Sequence, residues 1–566
     1  MDRVKPQTGL HISLLGMGLY RLLRKRLHTR YVTAALATTV FLISYAVLSG
    51  NGVSTQRAVG MCLIYLFADV TGYAYDMLNA LGIVVLVLLW ENPFLLSYSG
   101  FVFSVMAVIA IGVGANVLLE WEHSWKRRQQ AGEETIKKTF FSRQKEGILV
   151  SFAIQLFTIP LVAYSYYEIP VYAMLINLFV LAVVNGLLGL TVLGVIVGMA
   201  FLPAGRVLFA PCGWMLDSYR FLCEVSLKIP GAQRITGKPA HMRIFWYYLG
   251  LGVFLLAIYA CARRNEKHKD CRETADLCVS RRKKRLQGIV FSCFIAFLLL
   301  FLLFPQKKSF EIDFLDVGQG DGIYLCTGGG TSMFIDGGST DVKQVGKYRI
   351  LPFLKAKGVS EISYWFVSHT DTDHVSGLKE VLVSGYRVEY LVFAKAVEKE
   401  AKTKELAELA RSHGTKVFYM QAGDTVRSKR AAMRCLYPKA ADKAEDVNDL
   451  CLVLQFEEGD ISALFGGDIS TDVEEQLSRR EKWDKVLIFK ADHHGSRYAN
   501  AEALLKCIRP EITVASAGKD NRYGHPSPDA VQRIKESGSR FFCTIEGGRI
   551  RVRVIENKLV CETYVK

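Results

Sequence analysis

The chain has 566 residues and a formal net charge of +16, with 51% apolar residues, and it is too long for one compact core. The surplus is uneven: residues 1–305 hold 31 Lys and Arg against 16 Asp and Glu, and residues 306–566 hold 39 against 38. The charge therefore belongs to the apolar half and does not mark a soluble nucleic-acid patch. Neither a CxxC pair, a zinc-finger spacing nor a GxxxxGK[ST] loop occurs, so any ATP-driven step must reside on another chain.

Taken in order, Met1–Leu10 is polar and does not read as a cleavable signal. Gly9–Leu23 is apolar but short and ends in Arg24-Lys25-Arg26. Apolar stretches follow at 31–48, 58–71 (interrupted by Asp69), 77–90, 100–119, 147–164, 171–185, 187–203, 244–262 and 286–304, about eight to eleven membrane segments in all. Only Asn185-Gly186 divides 171–185 from 187–203, so one bent helix there is an alternative. Asp69, Asp76, Asn79 and Asn185 are either polar positions facing a bundle interior or residues at helix ends. Residues 204–243 are not a span: WMLDSYRFLCEVSLKIPG has apolar residues at helical spacing among charges, which suits an interfacial or pore-lining amphipathic helix. Its flanks carry Arg206, Arg220, Lys228, Arg234, Lys238 and Arg243, which could guide a polyanion or simply reach toward the interface.

The loop 263–285 holds ten Lys and Arg against four acids, and with the basic stretches 21–30 and 121–146 it is expected in the cytoplasm. Counting spans between these anchors carries residues 306–566 to the outer face. Cys271 and Cys278 then lie in a reducing compartment, while disulfides stay open for the six cysteines of the second half.

Residues 306–566 alternate strands and helices. Strands are expected at 310–316, 322–327, 331–338, 362–369, 388–393, 416–420, 452–457, 461–466 and 549–555, with helices at 346–357, 375–383, 399–412, 471–480, 499–507 and 528–536. The expected architecture is a polytopic α-helical membrane domain, 1–305, followed by a four-layer αββα sandwich, 306–566, with functional groups at strand ends.

The richest stretch is His369-Thr370-Asp371-Thr372-Asp373-His374, after the apolar run 362–367. Two imidazoles and two carboxylates there suit one or two divalent cations; the plainer reading is a polar loop capping a helix. Further strand ends carry Gly466-Gly467-Asp468, Asp492-His493-His494-Gly495-Ser496, Lys519 to His525-Pro526, and Asp336-Gly337-Gly338. Each alone reads as a turn; their concurrence in one α/β domain reads as a site.

HxDxDH, GGD, HHGS and GHP in this order, with LDVGQGD (315–321), FIDGG (334–338) and the stretches TGLHISLLGMGLYRLLRK and STQRAVGMCLIYLFADVTGYAYDMLNALGIVVLVLLWENPF, resemble ComEC-type competence proteins. These are DNA-uptake channels of transformable bacteria that carry a metallo-β-lactamase-fold domain. The resemblance implies His369, Asp371, Asp373 and His374 as motif ligands and Asp468 as the bridging carboxylate. It implies His493 or His494, with His493 preferred, as the last imidazole. Asp336 would support the ligands, and Asn448 stands where the wider superfamily has a further histidine. The ions expected are Mn²⁺ or Zn²⁺, one or two. Asp373 would orient or deprotonate a water, and Lys519 and His525 would neutralise or protonate a leaving oxygen. The implied function is DNA uptake across the cytoplasmic membrane, one strand being degraded outside by a metal-dependent nuclease while the other enters. The implied partners are single- or double-stranded DNA, membrane lipid, a DNA receptor, and a translocation ATPase or DNA-binding proteins. The alternatives are a non-catalytic pore with a docking domain and a membrane-anchored hydrolase of another phosphodiester. Relatives carry an OB-like region before the SGLHI-like stretch, and the chain is expected to lack it.

Overall fold

The computed structural model describes residues 10–129, 140–267, 276–304, 308–444, 446–556 and 558–565, arranged as two compact units, Met1–Phe304 and Pro305–Lys566. Residues 130–139 and 268–275, within the two most basic loops, lie outside the described residues.

The first unit is helical. Helices run Leu10–Lys25, Tyr31–Leu48, Val53–Thr71, Met77–Glu91, then Ser99–Ile109 continued through a π-turn, Ala110–Ala115, into Asn116–Gln129. They are followed by Phe140–Tyr166, Ala173–Ala200, Leu202–Lys228, His241–Lys267 and Asp276–Leu303. Among the described residues, five helices are long and apolar enough to cross a membrane, beginning at Tyr31, Ser99, Lys145, His241 and Arg282. That is fewer than the eight to eleven segments expected, because Met77–Glu91 and Gly186–Ala200 are apolar but shorter.

At two places where the sequence leaves alternatives open, the structure takes one of them. Residues 171–203 form one helix, Ala173–Ala200, with no break at Asn185-Gly186, since neither residue stops a helix whose flanks are uniformly apolar. Asp76 caps Met77–Glu91, accepting a hydrogen bond from the Asn79 N–H at 2.8 Å, so both residues serve a helix end and not a bundle interior. Asp69 accepts a hydrogen bond from the Tyr20 hydroxyl at 2.7 Å. The Asn185 side chain lies outside the described residues.

Leu202–Lys228 folds back on Ala173–Ala200 as a hairpin. At their crossing a Cβ on Gly205 would stand 2.5 Å from the Gly198 Cα, so the two backbones meet where small residues permit it. Short strands Glu168–Pro170 and Gln233–Ile235 pair antiparallel and bring both ends of the hairpin to one side. With a rise of ~1.5 Å per residue, Arg206 and Lys228 are roughly 33 Å apart, so the expected polyanion guides do not form one patch. Arg220 pairs with Glu224, Lys238 lies 4.6 Å over the Tyr164 ring, and Arg243 donates to the Phe304 carbonyl at 2.5 Å. At the opposite end of the unit, Lys284 pairs with Glu122 at 3.2 Å and His123 approaches Glu146 at 3.5 Å. The ends that flank residues 130–139 and 268–275 are thereby gathered together, away from Phe304.

The second unit is an αββα sandwich. An eight-stranded sheet contains Glu311–Phe314, Gly322–Cys326, Ser332–Asp336, Glu361–Phe366, Arg387–Ala394 and Lys416–Met420, extended on the other side by Ile550–Ile555 and Lys558–Thr563. The seven-stranded sheet contains Thr425–Ser428, Ala431–Tyr437, Val453–Glu458, Ile461–Phe465, Ile488–Lys490, Ile512–Ala515 and Arg540–Cys543. Phe314, Phe366, Phe456 and Phe465 fill the space between the sheets, and Trp365 and Leu378 pack the first sheet's outer face against its helices. Leu464 and Leu505 do the same for the second sheet. The strands at 425–428, 431–437, 512–515, 540–543 and 558–563 were not among those expected.

Replacing Gly205 with leucine should lower the thermal unfolding midpoint of the detergent-solubilised chain by several degrees, because the backbone contact cannot yield. Gly213→Leu is the control, since nothing lies within 4 Å of a Cβ there. Equal midpoints for both variants would contradict the close crossing.

Candidate metal centre

The parallel strands of both sheets end on one side. Ser332–Asp336, Glu361–Phe366 and Arg387–Ala394 are parallel neighbours in one sheet, as are Ile461–Phe465, Ile488–Lys490 and Ile512–Ala515 in the other. Their carboxyl ends deliver the motif residues, as open α/β sheets do in general. Gly466 and Gly467 follow Phe465 because nothing larger fits: a Cβ on Gly466 would lie 2.3 Å from the Asp492 carboxylate, and Gly467 has φ +69°. His493 and His494 both adopt left-handed backbone, φ 47° and 55°, a strained pair that turns His494 inward while His493 stays about one-third exposed.

Asp468 is the centre of the cluster. His374 Nε2 lies 3.3 Å and His494 Nε2 3.4 Å from its Oδ2, and His493 Nε2 lies 3.9 Å away. Asp373 Oδ2 is 3.6 Å from His494 Nε2. Donor atoms of Asp321, His374, Asp468 and His494 gather within 4.8 Å of one another, as do those of His369, Asp373 and His374. The imidazoles are oriented from behind. His374 donates Nδ1–H to Asp336 at 3.0 Å, and Asp336 also accepts from the Ser368 N–H at 2.7 Å. His494 donates Nδ1–H to the Ser516 carbonyl at 3.0 Å. A carbonyl and an ionised carboxylate only accept, so both rings must carry a proton on Nδ1 and aim Nε2 at the cluster. His369 Nδ1 is flanked by Ser368 Oγ at 3.1 Å and Cys451 Sγ at 3.3 Å.

The chemistry of this donor set fits a cation. His374 Nε2, His494 Nε2, Asp468 Oδ1 and Asp321 Oδ1 are all buried with no hydrogen-bond partner. An unsatisfied buried polar atom costs about 1–3 kcal/mol, and four around one point is an arrangement that a divalent ion relieves. Burial opposes charge on His374 and His494, yet Asp468, with Asp336 at one ring and Asp321 at the other, outweighs it and holds both well above the usual histidine range. Asp468 is held well below the carboxylate range, its burial overcome by His494 and His374. Burial, and then His374, pushes His369 down to about 4.

The sequence-expected residues are thus sorted. His369, Asp373, His374, Asp468 and His494 come together, with Asp336 behind His374. Asp371 stands at the rim: its Oδ2 lies 3.9 Å from His369 Nε2 and it lines the same cavity, while Oδ1, on a carboxylate nearly half exposed, accepts a hydrogen bond from Lys402 at 2.8 Å. The preference for His493 is reversed, since the left-handed pair points His494 inward. His525 and Asn448 line the same cavity of about 350 Å³, whereas Lys519 is exposed and does not line it. His525, half-buried and near His494 and His493, is pushed down to about 4, so at neutral pH it is uncharged. Asp321, Lys490 and Cys451 are additions. The motif ending in Asp321 was visible, but not that its loop returns to the cluster.

Residues 8–260 match the Competence protein family. The chain is 25% identical over 564 residues to ComE operon protein 3 of Bacillus subtilis, covering 96% of this chain and 67% of that protein. It is 24% identical over 591 residues to Recombination protein 2 of Haemophilus influenzae, covering 98% and 68%. The chain is similar to competence proteins along nearly its whole length. It spans about two thirds of the length of these relatives. Among solved structures, the metallo-β-lactamase fold protein YhfI of Bacillus subtilis is 11% identical, covering 43% of this chain and all of that one, with TM-score 0.31. The αββα architecture stands on the sheet order and the two-sided helix packing described above.

Because the folded, cation-free site keeps protons on His374 and His494 above their ordinary range, a divalent ion must displace them. Affinity for Mn²⁺ and Zn²⁺ should therefore rise as pH rises through neutrality, with net proton release on binding. Calorimetry in buffers of different ionisation enthalpy reads this directly; a pH-independent affinity with no proton release would contradict it.

Proposed function

We propose that this chain takes part in DNA uptake across the cytoplasmic membrane, with an extracytoplasmic metal-dependent nuclease site in its second unit. The observation that carries the reading is the set of four partnerless buried donors converging from both sheets at the strand ends. His369, Asp373, His374, Asp468 and His494 would hold one or two cations, Mn²⁺ or Zn²⁺. Bound there, the cation would polarise a phosphodiester oxygen and lower the pKa of a water. Asp373 is held below the usual carboxylate range: burial raises it, but the neighbouring His494 and His374 outweigh that, so it is ionised and able to take a proton. His525 contributes an uncharged ring with an unpartnered Nδ1 on the cavity wall, able to accept a hydrogen bond. Single-strand degradation coupled to entry of the other strand is the activity these parts would serve, with the motor and the DNA receptor on other chains.

The orientation rests on parity. The pairing of 168–170 with 233–235 means that the hairpin 173–228 adds an even number of crossings whether or not it spans. With the basic loops inside, helix 276–303 then runs outward. A protease site placed at the C-terminus should be cleaved in spheroplasts of cells expressing the chain, and protected in inverted vesicles; the reverse pattern would overturn the extracytoplasmic placement.

A second reading has its own support. Asn448 on the cavity wall, where a further histidine is usual in the superfamily, and Asp371 diverted to Lys402 both favour a domain that docks DNA without cutting it. One experiment separates the two: the detergent-purified full chain with labelled single-stranded DNA and Mn²⁺ or Zn²⁺. Cleavage should fall at least 100-fold in Asp468→Ala and much less in Asp371→Ala. Tight binding with no cleavage under either ion favours docking, and cleavage of small phosphodiesters but not DNA favours another substrate.

A further inference from the structure

Asp321 and Lys490 form a buried ion pair at 2.9 Å, each only 1% exposed, and the two come from different sheets. Lys490 closes the strand Ile488–Lys490 of the seven-stranded sheet. Asp321 precedes Gly322–Cys326 of the other, in a loop seated by backbone contact. The Asp321 N–H donates to the Asp373 carbonyl at 3.1 Å, and the Gly338 N–H donates to the Asp321 carbonyl at 3.0 Å. A Cβ on Gly320 would collide with the Gly338 and Asp373 carbonyls, at 2.4 and 2.5 Å, so the loop cannot ride outward. Asp321 is therefore fixed to the very turns that carry Asp373, His374 and Asp336.

Its two oxygens face different tasks. Oδ2 takes the Lys490 ammonium, which also donates to the Ala491 carbonyl at 2.9 Å. Oδ1 has no hydrogen-bond partner and lies 3.6 Å from His494 Nδ1. His494 sits on a strained backbone four residues after Lys490, on the seven-stranded sheet's side of the cavity. Apart from the core between the sheets, something must hold His494 in register with His374 and Asp468, and a carboxylate from the opposite sheet grips its strand and faces its ring.

We propose that the Asp321–Lys490 pair is a latch between the two sheets that positions His494 for the cation, making Asp321 and Lys490 positioning residues of the site. This rests on the cation-binding reading given under Proposed function. The Ser516 carbonyl takes the Nδ1–H of His494, and the latch adds beside it, 3.6 Å from Nδ1, a carboxylate anchored in the opposite sheet. A carboxylate behind a ligating imidazole fixes its orientation and raises its basicity, and its loss commonly costs 10–100-fold in metal affinity.

The test uses the detergent-purified full chain, with Mn²⁺ and Zn²⁺ affinities measured by calorimetry and bound metal counted after dialysis, beside the unfolding midpoint. Asp321→Asn and Lys490→Met each leave one buried charge unpaired, so both should lower the midpoint and reduce affinity by roughly ten- to 100-fold. The double variant removes both charges and should recover the midpoint, yet keep a loss of roughly tenfold or more in affinity, and Lys490→Arg should restore part of the affinity. Recovery of affinity together with midpoint in the double variant would reduce the pair to a structural strut and overturn the proposal. Unchanged affinity in both single variants would do the same. A wild-type chain that binds neither ion would instead sink the underlying cation reading, and so tells the two failures apart.

Discussion

Asp468 meets imidazoles that arrive from opposite sheets, and this convergence is the constraint on which the second unit depends. His374 belongs to the turn after one sheet's strand and His494 to the turn after another's, so their 3.3 and 3.4 Å approaches to one carboxylate exist only while both sheets keep register. Phe465 is packed in the core between the sheets and lies three residues before Asp468. Its pairing with Lys490 ties the two strand ends together. A slip of one residue would turn Phe465 out of the core, so the register that buries it also aims the ligands.

The membrane unit answers to a different constraint. Its helices have little to gain from burying apolar surface against one another in lipid, so close packing and polar contacts must specify the arrangement. The Gly198–Gly205 crossing, the Tyr20–Asp69 hydrogen bond and the Arg57 contact with Ser104 at 2.6 Å are such features. The first allows the hairpin 173–228 to close, and the paired strands at its base fix where it begins and ends.

Much of this was legible in the sequence, and the limits are physical. The division near residue 305, the strand-end motifs and the layered α/β architecture follow from hydropathy and spacing, which are local. What was missed is non-local or conformational. The adjacent His493 and His494 have the same chemistry, and only two left-handed backbone positions decide which one turns inward. Asp371 fits a ligand pattern, but Lys402 on the next helix takes one of its two oxygens, and no spacing rule brings that helix over the turn. Asp321 is brought to the cluster by a loop from the opposite sheet. The short strands 512–515 and 540–543 have too few residues for alternation to declare itself, and the polar residues Asp76 and Asn79 look alike whether they end a helix or line a bundle.

Charge limits which ligands the site can admit. Lys490 neutralises Asp321, and Lys402 sits on Asp371. Asp492 is held well above the carboxylate range by burial and by Glu474. Asp336, Asp373 and Asp468 remain, offset only in part, without a cation, by the tendency of His374 and His494 to hold protons. Those same protons occupy the Nε2 positions that a ligand needs. Removing them without supplying a cation would leave a buried concentration of negative charge, which a phosphodiester could not approach in a low-dielectric cavity. An anionic substrate and these carboxylates are therefore compatible only through positive charge held between them, which is what the converging, partnerless donor atoms are arranged to accept.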